Sequence, residues 1–134
     1  MKWVGISFIA LIILCSCVEH ARLAKHIATE APLIGRGSQN ECWRFALDLS
    51  CQLNSRRIPC WVVVYDWSSG LVTGRHAIAV YDDGRGYWAM DNLSESPRHL
   101  ISSNAVAWAR EYSHAHTIWF VGVYDAKEVR KVYP

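Results

Sequence analysis

An α+β domain, with helices on one side of about four antiparallel strands, is the fold this chain predicts, and three observations carry it. Cys42 to Leu53 sets apolar residues at helical spacing, which reads as a helix with one buried stripe. Arg75 to Tyr81 and Tyr87 to Asp91 are strand-like runs on either side of Asp82-Asp83-Gly84-Arg85-Gly86, and Asp-Gly between such runs is a strong hairpin signal. Cys60 to Asp66 is a nearly continuous apolar run, the mark of a central buried strand.

The remaining elements follow in order. Val18 to Ala31 is rich in helix formers, with Ala21, Leu23, Ala24, Ile27 and Ala28 on one stripe. The breaker-rich segment from Ala31 to Asn40 is loop, and Asn40 is placed to cap the helix that carries Cys42. Ser103 to Tyr112 reads as a helix, Thr117 to Tyr124 as a last strand, and Asp125 to Pro134 as a charged tail.

A chain of 134 residues suits one domain, and 51% hydrophobic residues against 19% charged ones exclude a disordered chain. The net charge is +2, and the longest basic run is Arg56-Arg57. That pattern lacks the basic footprint of a nucleic-acid binder and excludes that class.

The first residues read as an address. Lys2 precedes an apolar run from Val4 to Leu14, the length of a signal-peptide core and short for a membrane span. Leu14-Cys15-Ser16-Cys17 resembles the lipobox of bacterial lipoproteins, which makes Cys17 the lipidation site and anchors the domain at a membrane of the cell envelope, periplasmic or at the cell surface. A plain cleaved signal or a retained apolar terminus are the alternatives, and all three export the domain. The chain then divides into a signal peptide with lipobox (1–16), an N-terminal helix and loop (17–38), the catalytic-type domain (39–125) and a tail (126–134).

Cys42, His76 and Asp91 are the candidate catalytic residues. A thiol in the first turn of a helix sits among unsatisfied backbone N–H groups and the positive end of the helix dipole, which favour a thiolate. The same N–H groups, with that of Cys42 foremost, and the side chain of Gln39 are candidates to hold an oxyanion. A two-residue turn at Asp83-Gly84 sets His76 across from Asp91, so that the carboxylate orients the imidazole towards the thiol. A five-residue loop sets Asn92 there instead.

Three blocks in this order resemble the transglutaminase-like cysteine peptidases of the papain-like superfold. Asn40-Glu-Cys-Trp-Arg-Phe-Ala-Leu47 is similar to the nucleophile helix, and Arg57-Ile-Pro-Cys-Trp-Val-Val-Val64 to the family's Gly-Ile-Pro-Ala entry into the next strand, with Arg57 in place of the Gly. Gly74 to Leu93 is similar to the histidine and aspartate strands. The resemblance implies a nucleophile helix packed on an antiparallel sheet, and acyl transfer at amide or peptide bonds through a thioester, with a protein or peptide substrate and no cofactor. Hydrolysis and transfer to an amine both remain open, as does a non-catalytic envelope module with the same fold.

With Cys17 acylated and Cys42 reactive, Cys51 and Cys60 remain to pair as a disulfide or to stay reduced. His114-Ala-His116 is too little for a zinc site, which needs three or four ligands.

Overall fold

The computed structural model describes residues 4–114 and 117–125, and their side chains from Cys17 onward. Its elements run α1 (Val4–Glu30), α2 (Cys42–Ser55), β1 (Cys60–Ser69), β2 (Val72–Asp82), β3 (Tyr87–Met90), β4 (Arg98–Leu100), α3 (Ala105–Ser113) and β5 (Thr117–Asp125). The strands form one antiparallel sheet in the order β4-β3-β2-β1-β5.

Alternation along β1 and β2 decides the layering. Val62 and Val64 of β1, with Ala77 and Ala79 of β2, point to one face and pack with Phe45, Ala46, Leu49 and Leu53 of α2. The two alanines let the helix lie close to the sheet. Ala24, Ile27 and Ala28 of α1 join the same cluster, as the stripe from Val18 to Ala31 predicts, although α1 continues upstream to Val4. Val63 and Tyr65 of β1, with Ile78 and Val80 of β2, point the other way and meet Trp108 and Ala109 of α3.

Helices therefore cover both faces of five strands, which corrects the expectation of one-sided helices on about four strands. The reason is visible in β1: five consecutive residues, Val62 to Asp66, are buried, and a strand buried on both faces needs cover on both. β4, only three residues long, carries no pattern that distinguishes it from loop.

The C-terminal end of α2 is closed by a Schellman motif. The Arg57 N–H donates to Asn54 O at 3.0 Å and the Ile58 N–H to Leu53 O at 3.0 Å, while Ile58 and Leu53 are buried in one cluster. Arg57 takes φ +62°, the left-handed region that favours glycine. Arg57→Gly is expected to stabilise the protein by about 0.5–1 kcal/mol in urea denaturation, the relief at φ exceeding the added chain entropy of the unfolded state.

Among the described residues, no helix is long and apolar enough to cross a membrane.

Candidate active site

The β2–β3 hairpin departs from the expected two-residue turn. Ala79 pairs with Met90 and Asp82 with Tyr87, leaving residues 83–86 as a four-residue loop. Two side chains build that loop: Asp82 Oδ1 accepts from the Gly84 N–H at 2.8 Å, and Asp83 Oδ1 from the Arg85 N–H at 2.8 Å. The pairing is thereby displaced by two residues from the one expected. A shift of two leaves every side chain on its own face, whereas a shift of one reverses them all.

His76 and Asp91 consequently still share a face, now as diagonal rather than direct neighbours, and His76 Nε2 lies 2.9 Å from Asp91 Oδ2. Asn92 points elsewhere: it is buried, and its side-chain amide donates to the Ser38 carbonyl. The expected carboxylate, not Asn92, is therefore the partner of the imidazole.

Asp91 is held at both oxygens. Oδ1 accepts from the Ser94 hydroxyl at 2.6 Å, the Ser94 N–H at 2.9 Å and the Leu93 N–H at 3.1 Å. Burial pushes its pKa up, but the hydrogen bonds from His76 and Ser94 outweigh this and bring it down to about 2. The Ser94 hydroxyl also lies 2.8 Å from that of Tyr112, which links the carboxylate to α3. Burial pushes the Tyr112 phenol up to about 12, so it stays protonated at neutral pH. Ser94 and Tyr112 are site residues that sequence reasoning missed. Ser94 had a signal in the Asp91-x-x-Ser94 spacing of a turn; Tyr112 had none, because only folding brings α3 to this face.

A cleft of about 390 Å³ opens over this pair, lined by Tyr65, Trp67, His76, Asp91, Tyr112 and His114. The Tyr65 ring stands edge-on to His76, with centroids 5.7 Å apart. His114 is not on a strand: it ends α3 with φ 52° and lies 2.6 Å from an Arg98 nitrogen, while His116 falls outside the described residues.

Cys42 opens α2, as expected, but the cap differs. Asn40 has φ +61° and belongs to the preceding turn; Glu41 is the N-cap and makes no side-chain capping bond. The first-turn N–H groups around Cys42 are thus left without a side-chain cap, the condition an oxyanion site needs. Gln39 is exposed. The loop before the helix is tied beside Asp91, since the Gly37 N–H donates to Asn92 O at 2.6 Å and the Asn92 amide returns to Ser38.

The thiol itself packs with the cluster on the α2 face, whereas His76 faces the α3 side with Tyr65. Cys42 makes no hydrogen bond to His76 and does not line the cleft. The Tyr65 phenol beside His76 is pushed up by burial first and then by Tyr112, Asp91 and Cys42. Among the described residues no strand pairs with β2 from Val72 to Ile78 on the β3 side.

Cys51 and Cys60 are not bridged. Cys60 is 2% exposed, and burial pushes its thiol up to about 12, which makes it inert. Cys17 lies beside the hairpin turn: its sulfur is 3.9 Å from where a Cβ on Gly84 would stand.

Against family profiles, curated proteins and solved structures, the chain has no match.

Proposed function

We propose that the protein is an exported thiol enzyme of the transglutaminase-like cysteine peptidase type, anchored at the cell envelope through Cys17, that transfers the acyl group of an amide or peptide bond. In this reading Cys42 attacks the carbonyl, the uncapped N–H groups at the start of α2 hold the oxyanion, and His76 moves the proton from the thiol to the departing amine. Asp91 orients the ring, and water or an amine resolves the thioester.

The observation that carries the reading is the 2.9 Å bond from His76 Nε2 to Asp91 Oδ2, which leaves Nδ1 as the nitrogen for the thiol. Arg57 adds support, because its left-handed backbone stands where the resembled family has glycine. The step from structure to turnover requires the Cys42 sulfur to meet Nδ1. The absence of a Cys42–His76 hydrogen bond favours a second reading, a non-catalytic envelope module that keeps the fold.

One experiment separates them. Treated with a low dose of iodoacetamide at pH 6 and mapped by peptide mass, the enzyme reading expects Cys42 to be modified first, with Cys60 as the inert internal control. In His76→Ala the preference for Cys42 should vanish. Labelling of Cys42 no faster than an ordinary thiol overturns the enzyme reading and leaves the binding module.

A further inference from the structure

A second cavity, of about 480 Å³, lies between α1 and the β2–β3 hairpin, on the side of the molecule where Cys17 meets Gly84. Its chemistry differs from that of the cleft over His76. Arg22 and Lys25, one helical turn apart on α1, and Arg85 from the hairpin loop bring three cations to its wall. None of the three forms an ion pair among the described residues. The one carboxylate lining the cavity, Asp83, is buried and already accepts the Arg85 N–H through Oδ1.

Trp88 lines the same cavity, and its indole N–H is buried without an acceptor among the described residues. An acceptor that enters the cavity and reaches this ring would satisfy that donor. Three unpaired cations and an orphaned donor call for an anion rich in acceptor oxygens, and the flanking Val18, Ala21 and Pro97 call for an apolar substituent on that anion.

We propose that this cavity binds the phosphodiester of an anionic membrane phospholipid. The position fits that occupant: Cys17, the proposed lipid-bearing residue, sits against Gly84 in the hairpin turn, between Asp83 and Arg85 of the cavity wall. A domain tethered at Cys17 holds Arg22, Lys25 and Arg85 near the headgroups, where cations are drawn to an anionic surface. The anion site stands on the cavity alone; its lipid source rests on the envelope anchorage proposed above. Bound lipid would fix how the domain sits on the membrane, and with it the direction in which the His76 cleft opens.

The test uses the full chain in neutral maltoside micelles with ¹⁵N-labelled tryptophan, the Trp88 indole signal being identified by its loss in Trp88→Phe. Soluble dihexanoyl phosphatidylglycerol is expected to shift that signal saturably. Arg22→Gln with Arg85→Gln is expected to weaken the binding about tenfold or more, with circular dichroism and Cys42 alkylation unchanged. No shift with the lipid, an undiminished shift in the double variant, or an equal shift with dihexanoyl phosphatidylcholine overturns the site. Inorganic phosphate binding as tightly as the lipid overturns the lipid assignment. Because Cys42 alkylation is read separately, failure of this proposal and failure of the thiol enzyme give different results.

Discussion

Phe45→Ala is expected to destabilise the protein by about 3–5 kcal/mol, the cost of emptying a buried aromatic position. Phe45 is 0% exposed and sits at the centre of the stripe by which α2 grips the sheet. Its ring carries a second link, because the Arg36 guanidinium lies 5.5 Å from the ring centroid and donates to Ala28 O at 2.7 Å, at the C-terminal end of α1. Truncation therefore opens a cavity under α2 and loosens the loop that positions Cys42. A domain of this size has about 5–15 kcal/mol to lose, so the variant should approach marginal stability at room temperature. Leu47→Ala, at a half-buried position of the same helix outside the buried cluster, should cost less than half as much. Urea denaturation checks both, and equal losses would show that α2 does not bury the stripe described.

The elements that sequence reasoning recovers best are those whose period is set by one buried face. α2 is the clearest: Phe45, Ala46, Leu49 and Leu53 recur at helical spacing, and all are buried. β1 and β2 run longer than their apolar patterns, because Ser68, Ser69 and Thr73 dilute the pattern just where the two strands meet at Gly70 and Leu71. The dyad of His76 and Asp91 was legible for a reason stronger than the turn that suggested it. The loop is two residues longer than expected, yet parity along the strands survives, so the same side chains meet. What stayed hidden depends on tertiary packing. Neither the second helical layer nor the Ser94–Tyr112 bond can be read without knowing which face α3 covers, and the packing of Cys42 with the α2-side cluster while His76 stands with Tyr65 appears only when both faces are filled.

Asp91→Asn is expected to lower stability by about 1–2 kcal/mol at pH 7, and the loss should fade in acid. The Asp91 side chain is 14% exposed and accepts four hydrogen bonds, from His76, Leu93 and twice from Ser94, all of which favour the ionised form. With its pKa lowered from 3.8 to about 2, the carboxylate contributes stability that is fully present above the unfolded value and is lost as pH falls through the folded one. The wild type should therefore lose this increment between about pH 4 and pH 2, where the asparagine variant, with nothing to titrate, does not. The two stabilities converge at the acid end, and urea denaturation at pH 7, 4 and 2.5 reads the gap. A gap of the same size at pH 2.5 as at pH 7 would mean that the amide is penalised for shape rather than for charge. The same variant speaks to the proposed chemistry, because an amide at this position can still brace the ring but no longer stabilises a protonated imidazole. If His76 acts on the Cys42 thiol, alkylation of Cys42 at pH 6 should fall in Asp91→Asn while the fold persists, and it should fall less in Ser94→Ala, which leaves the charge in place and removes only one of its supports.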